Sequence, residues 1–220
     1  MSENPTGADR PITTTVESPE PCRRVIRAEV ARALFDREYA DRLDRDLPFR
    51  VPFILYSSHN DFAQTNIADW LIGEGTGGFS EPFRNRVVLP YPASHEQFVH
   101  VIRHELVHVF MFDMAFGARS ADLGRNTFFQ IPLWFAEGMA EWLSAGWDAE
   151  ADMFIRDAVI ADTLPPLAYA GGFMVYKQGQ AVMQLLSERY GAPKLTEFWR
   201  AVGRQRSVEP ETYAVYSEPD

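Results

Sequence analysis

The residues best suited to chemistry lie in one stretch, 94–112, which reads SHEQFVHVIRHELVHVFMF. Its middle, His104-Glu105-Leu106-Val107-His108, has the HExxH pattern. Ser94 with Gln97 three residues later forms a capping box, which predicts that a helix begins here. On that helix the two histidines are one turn apart, so both imidazoles leave the same face and can share one Zn²⁺. Glu105 lies next to the first histidine, where its carboxylate can take a proton from a water on the open side of the metal.

The same helix has a plainer interpretation. It is apolar on several sides, which predicts that it is buried, through Val99, Val101, Leu106, Val107, Val109 and Phe110. A buried core helix with two hydrogen-bonded histidines would also contain this pattern. A motif match is a hypothesis until its context supports it. Buried histidines and a buried glutamate nevertheless need a partner that compensates for their lost hydration, so the rest of the chain decides.

A second apolar segment, PLWFAEGMAEWL, contains Glu137 and Glu141 one turn apart. Two carboxylates on one face of an apolar helix are costly to bury without a cation. Hydrolytic zinc sites usually have three protein ligands and a water. We therefore predict one Zn²⁺ per chain, bound by His104, His108 and Glu137, with Glu141 accepting a hydrogen bond from a ligand histidine. The exchanged roles of the two glutamates stay open, and His100 is predicted to be a neighbour rather than a ligand because three ligands are already supplied.

HELVH followed by PLWFAEGMAEW resembles the gluzincin metallopeptidases, and most closely the peptidase MA-like domains, which often stand beside repeat domains. The resemblance implies that Glu137 is the third zinc ligand and that Glu141 orients a zinc histidine. Tyr176-Lys177-Gln178-Gly179 is similar to the Y-x-x-G segment of gluzincin aminopeptidases, whose tyrosine hydrogen-bonds the oxyanion. The resemblance therefore implies a catalytic role for Tyr176; the alternative is a tyrosine that only packs at a helix start.

Two features depart from the aminopeptidase branch of that family. The gap between the second histidine and Glu137 is longer, so the intervening loop is not carried over. The family's Gly-Ala-Met-Glu-Asn-like stretch, which anchors a free amine, has no counterpart in GTGGFSEPFRNRVVLP, residues 75–90. Glu74 or Glu81 could serve there, but nothing else supports either of them. We therefore predict an endopeptidase-like groove.

The leading functional hypothesis is a zinc metallopeptidase that acts on peptides or proteins. In it Glu105 is the general base and Tyr176 stabilises the oxyanion. The second hypothesis is a catalytically silent, zinc-stabilised peptide-binding domain. The general base argues against it, because a binding domain has no use for one. A helical core without metal, in which the motif arose by chance, is the third.

Composition excludes other classes of protein. With 46% hydrophobic and 13% aromatic residues, the 220-residue chain can form a core. The net charge of −10 argues against a nucleic-acid partner, and no apolar run approaches the length of a membrane span. Cys22 is the single cysteine, so a metal must be bound by His and carboxylates. The sequence as it stands begins without an apolar signal segment, which predicts a cytoplasmic location; a secreted or periplasmic location, and further domains of a longer chain, stay open.

The order of elements predicts an α+β fold of zincin-like type, with a small N-terminal mixed β-sheet and helices followed by a mainly helical C-terminal part. Residues 1–22 are predicted to be a mobile tail, 23–205 the metallopeptidase domain (α/β part 23–112, helical part 113–205) and 206–220 a poorly patterned tail. Strands are predicted at 51–56, 78–80 and 86–89, helices at 23–46, 61–72, 94–112, 132–146, 149–161, 173–190 and 193–202, and a loop or short helix at 113–130. Because Pro90 and Pro92 follow the third strand, we expect it at or near a sheet edge, where an extended peptide could add.

Overall fold

A computed structural model describes residues 43, 47–49, 51–65, 71–81, 84, 86–92, 94–116 and 131–205. The predicted tails 1–22 and 206–220 lie outside these ranges, as does the larger part of the predicted loop 113–130. Of the helix predicted at 23–46, only Leu43 is described; it is helical and buried.

Three short strands form a mixed sheet: β1 (Phe53–Tyr56), β2 (Phe79–Glu81) and β3 (Arg86–Pro90). The strand order is β1-β3-β2, with β1 parallel and β2 antiparallel to β3. The three predicted strands are therefore present, but the third, which was expected at or near a sheet edge, is instead the central one of the described strands. It pairs with β1 on one side and β2 on the other, and its residues Val87, Val88 and Leu89 are fully buried. Pro90, which has no N–H, is accommodated as the last residue of the strand.

Of the helix predicted at 61–72, the structure describes 61–65 and 71–72, and only 61–63 of these are helical. Helix α1 (His59–Ala63) follows β1 and begins at Ser58, whose hydroxyl accepts from the Asp61 N–H. Phe62 and Leu71 were expected to turn inward on this helix because both are apolar; Phe62 is buried, but Leu71 is 98% exposed and not helical. The residue three positions after Phe62 is Thr65, which is polar and not helical, so the apolar face of α1 does not continue into the next described turn.

The remaining helices are α2 (His95–Phe116), α3 (Leu133–Ala145), α4 (Ala149–Ile160), α5 (Phe173–Tyr190) and α6 (Ala192–Gln205), with a 3₁₀ turn at Leu167–Tyr169. Each was predicted to within a few residues, and α2 runs four residues past its predicted end. Gly146 and Gly191 end α3 and α5 with φ of 73° and 85°, a region that favours glycine. The described part of the chain is therefore an α+β fold that is mostly helical. None of its helices combines the length and apolarity needed to cross a bilayer.

Helix α2 lies between two hydrophobic clusters, which explains its apolar character on several sides. One cluster joins it to the sheet and includes Phe53, Val87, Leu89, Phe98, Ile102, Leu106 and Val109. The other joins it to α3, α5 and α6 and includes Val107, Met111, Phe135, Met139, Met183, Phe198 and Trp199. Burial on two sides holds the helix rigidly, so the position of its polar residues is well defined.

Candidate metal centre

Three predicted ligands meet where α2 faces α3. The Nε2 atoms of His104 and His108 are 3.2 Å apart. Glu137 Oε2 lies 3.1 Å from the first of these nitrogens and 3.3 Å from the second. The three side chains are only 9%, 12% and 13% exposed. Two turns of α2 and one position of α3 thus bring two nitrogens and one oxygen into a nearly equilateral triangle.

The size of this triangle fits one zinc ion. Ligand atoms at 2.0–2.1 Å from a tetrahedral Zn²⁺ are separated from one another by about 3.3 Å. The three observed separations, 3.1 to 3.3 Å, lie close to that value. Two imidazoles and a carboxylate are also the chemical types that Zn²⁺ prefers. His104, His108 and Glu137 could therefore hold the ion without rearrangement of the backbone.

Without a metal, the same contacts form a hydrogen-bonded ion cluster with strongly shifted pKa values. Burial lowers the pKa of His104, but the carboxylates of Glu137 and Glu141 outweigh burial and raise it to about 10. Burial raises the pKa of Glu137, but hydrogen bonds from His104 and His108 bring it down to about 2. A buried, concentrated negative charge that attracts a proton this strongly also attracts a divalent cation.

Glu141 lies behind the triangle rather than in it. Its Oε1 is 3.0 Å from His104 Nδ1, the ring nitrogen opposite the one in the triangle, although it lies off the N–H direction. The same oxygen is 3.4 Å from Nε2 of His100. His100, His104 and Glu141 thus form a second group with closely spaced donor atoms. Because Glu137 faces both Nε2 atoms and Glu141 faces Nδ1, the geometry favours Glu137 as ligand over the exchanged assignment, with His100 as a neighbour that contacts Glu141.

Lys177 completes the surroundings of Glu141 and was not predicted. Its side chain is 4% exposed, and its Nζ lies 3.2 Å from Glu141 Oε2 and 3.2 Å from Glu150 Oε2. The ammonium group compensates for the buried charge of Glu141. Burial raises the pKa of Glu141, but contacts with His100, His104 and Lys177 outweigh burial and hold that pKa well below its usual range. The signal in the sequence was a lysine directly after the apolar and aromatic run FMVY, residues 173–176.

Glu105, the predicted general base, is buried on the sheet side of α2 and faces the same cavity as the triangle. Its carboxylate Oε2 accepts a hydrogen bond of 2.9 Å from the Ser80 hydroxyl, which also lies 2.6 Å from the carbonyl oxygen of Glu105. Ser80 belongs to β2, the strand opposite this part of α2. It was not predicted as a site residue, because a serine in a three-residue strand carries no motif.

Tyr176, near the start of α5, lines the cavity that Glu105 and the triangle share. Its ring stacks on the imidazole of His104, with 5.8 Å between centroids and 29° between planes. Burial and the negative charges of Glu137 and Glu105 raise the pKa of its phenol, so the hydroxyl stays protonated at neutral pH and can donate a hydrogen bond.

A cavity of ≈ 420 Å³ joins these groups. Its polar residues are the three triangle members with Glu105, Tyr176 and Ser80. The remainder of the wall is apolar and consists of Gly78, Phe79, Met111, Phe112, Ile131, Leu133 and Ala136. Five of the six predicted site residues therefore line one cavity, and the sixth, Glu141, lies behind it.

Comparison of the chain with protein-family models, with curated proteins and with solved structures gives no significant match. What the site can do is therefore argued from its own geometry.

Proposed function

We propose that this protein is a zinc metallopeptidase of gluzincin type with a zincin-like fold. The observation that carries the proposal is the convergence of His104, His108 and Glu137 on a single point within a cavity that also contains Glu105 and Tyr176. A metal-binding role alone explains the first three residues. It does not explain a buried carboxylate and a protonated phenol in the same cavity.

The chain's own residues have distinct roles in this reaction. His104, His108 and Glu137 would hold a Zn²⁺ ion, which would supply a bound water of lowered pKa and polarise the carbonyl of the scissile bond. Glu105 takes the proton from the attacking water and passes it to the leaving amine. Tyr176 donates a hydrogen bond to the developing oxyanion. In this partly buried site, that hydrogen bond stabilises the negative charge of the oxyanion. Glu141 orients the His104 ring from behind.

An extended peptide suits the cavity as substrate. Strand β2 lies at the edge of the described sheet, and Phe79 and Ser80 of this strand line the cavity. A peptide that adds to β2 through backbone hydrogen bonds would pass beside Glu105. Glu81, a residue that could have anchored a free amine, is instead paired with Arg86 and lies 3.7 Å from Arg84 Nε. Because the two arginines neutralise the Glu81 carboxylate, it is a poor anchor for the free amine of a substrate. This supports an endopeptidase-like groove.

The test is the variant Glu105→Gln. We expect it to bind one equivalent of zinc, as the parent does, and to lose at least about 99% of the peptide-cleaving activity, since a general base contributes about 10²–10⁴-fold. Glu197→Gln on α6, which removes an exposed carboxylate, is the matched control and should keep full activity. Zinc content and cleavage of a peptide library are measured on all three proteins. If Glu105→Gln cleaves peptides at the parent rate, the proposed mechanism is wrong. If the parent binds peptides tightly but does not cleave them, the silent binding domain is favoured.

A further inference from the structure

The hydroxyl of Ser80 contacts Glu105 at two atoms of the same residue. Its Oγ is 2.9 Å from the side-chain Oε2 and 2.6 Å from the backbone carbonyl oxygen. We propose that Ser80 is a positioning residue that holds the Glu105 carboxylate in the orientation needed for proton transfer. The inference rests on the proposed function, because it assigns Ser80 a part in the same reaction.

The double contact restrains a side chain that would otherwise be free to turn. The carbonyl of Glu105 belongs to the rigid backbone of α2, so a hydroxyl bound to it has a defined position. A serine hydroxyl has one hydrogen and two lone pairs, and that hydrogen can be shared between two acceptors. The Ser80 hydroxyl thereby links Oε2 of the Glu105 carboxylate to the backbone of α2. Because Glu105 lines the cavity, we assign the proton transfer to its second oxygen, Oε1.

This restraint matters because a general base works only within a narrow range of distances. The accepting oxygen must come within about 2.6–3.2 Å of the atom that gives up the proton. A glutamate has three side-chain torsions, and holding them in one arrangement opposes conformational entropy. A shift of about 1 Å is enough to cost up to 10²-fold in rate. A hydrogen bond to one carboxylate oxygen reduces the number of arrangements that the other can adopt.

The strand geometry explains why residue 80 can make this contact. Successive side chains of a strand point to opposite faces of the sheet. Phe79 packs against Phe62 of α1, with ring centroids 5.7 Å apart, on the face away from α2. Ser80 therefore points towards α2, and its pairing with Val87 of the central strand β3 holds it there. The strand beside which we place the substrate is thus the one that orients the general base.

The experiment compares Ser80→Ala, Ser80→Thr and Ser144→Ala with the parent. Ser144 is a matched control because its hydroxyl donates to the carbonyl of Glu141 on α3, at 3.2 Å, without contacting a carboxylate. For Ser80→Ala we expect kcat to fall roughly tenfold to hundredfold, with KM and zinc affinity within about twofold of the parent. Ser80→Thr, which keeps the hydroxyl, should recover most of the activity. The control should retain the parent kcat.

A second arm separates positioning from a general effect on the fold. In the Glu105→Gln background, Ser80→Ala should lower the residual activity no further, because the group that it positions is already gone. An equal fold-loss in both backgrounds would overturn the proposal, and so would a parent-like kcat for Ser80→Ala. A loss of zinc affinity that parallels the loss of kcat would assign Ser80 a structural role instead. If the parent cleaves peptides while Ser80→Ala is unaffected, only this inference fails; if the parent neither binds zinc nor cleaves peptides, the proposed function fails first and this inference with it.

Discussion

Gly138 on α3 and Gly179 on α5 bring the backbones of their helices into direct contact. A methyl group on Gly138 would lie 2.4 Å from the carbonyl carbon of Gly179, and one on Gly179 would lie 2.2 Å from the carbonyl oxygen of Trp134. Only the absence of both side chains permits this approach. Gly138 directly follows Glu137, and Gly179 is three residues after Tyr176. The crossing therefore sets the distance between the Glu137 carboxylate and the Tyr176 phenol.

The variant Gly179→Ala should disturb this crossing. Because the new methyl group would meet backbone rather than a movable side chain, we expect the helices to separate and the unfolding free energy to fall by about 3 kcal/mol, the upper end of typical overpacking. Peptide-cleaving activity should fall by more than the loss of folded protein explains, because Tyr176 moves with α5. Chemical denaturation and peptide cleavage measure the two effects. Gly171→Ala is the control: its methyl group would have nothing within 4 Å, and a comparable loss there would contradict this account.

Lys177→Met should destabilise the protein by about 3 kcal/mol, because removing one partner of a buried ion pair leaves the other charge uncompensated. Glu141, the partner, is only 8% exposed in its side chain. Lys194→Met offers a contrast, since Lys194 pairs with Glu197 at the surface with side chains 44% and 53% exposed. We expect that control to change stability by less than about 0.5 kcal/mol. Urea unfolding of both metal-free variants makes the comparison, and equal effects would show that Lys177 does not compensate a buried charge.

Glu137→Gln and Glu141→Gln distinguish the ligand from the residue behind it. Loss of an orienting partner typically lowers metal affinity by about 10–100-fold. We expect Glu141→Gln to fall in that range and Glu137→Gln to lose more, because a charged ligand is removed outright. Zinc affinity is measured by competition with a chelator of known strength. The reverse order of the two variants would assign the ligand role to Glu141.

Tyr176→Phe should lower kcat by about 10²–10³-fold, the usual effect of removing one donor to an oxyanion. KM and zinc content should stay near those of the parent, because the ring that stacks on His104 is retained. Steady-state kinetics on a single peptide, with zinc analysis of the same sample, checks this. A tyrosine that only packs at the start of α5 would give a variant with parent-like kcat.

The metal-free protein should be most stable between about pH 4.5 and 6.5. The pKa of Glu137 falls from 4.5 to about 2 on folding, so its contribution is present above pH 4.5 and is lost as the pH falls towards 2. The pKa of His104 rises from 6.5 to about 10, so its contribution is present below pH 6.5 and is lost as the pH rises towards 10. Unfolding in the presence of a chelator measures this profile. Stability that increases above pH 6.5 would contradict it.

Zinc should stabilise the protein more at high pH than at low pH. Ligand histidines must be neutral to bind metal, so zinc competes with the proton on His104. We expect the stabilisation by zinc to increase as the pH rises above 6.5, where the unfolding free energy of the metal-free protein decreases. Unfolding with and without zinc at matched pH gives the difference directly.

Features set by neighbouring residues were predictable from the sequence. His104 and His108 share a face because four residues make about one helical turn, whatever surrounds the helix. Glu137 and Glu141 follow the same rule on α3. Helix ends were also local, since Gly146 and Gly191 adopt backbone angles that favour glycine at positions where the helices end.

Predictions failed where the answer depended on a partner far away along the chain. Pro90 correctly indicated the end of β3, but a proline does not indicate how many strands lie beside the one that it ends. Leu71 was expected to be buried because it is apolar, yet whether it is covered depends on what packs over it.

By itself, the sequence determined which residue types share a helix face and therefore that two imidazoles and a carboxylate could meet a metal. Only the tertiary structure decided that Ser80 restrains Glu105, that Lys177 neutralises Glu141 and that two glycines let α3 and α5 touch. The reason is physical. Helical and strand periods follow from backbone geometry within a few residues, whereas a hydrogen bond, an ion pair or a close backbone contact depends on which faces pack together, and that is settled by the whole core at once.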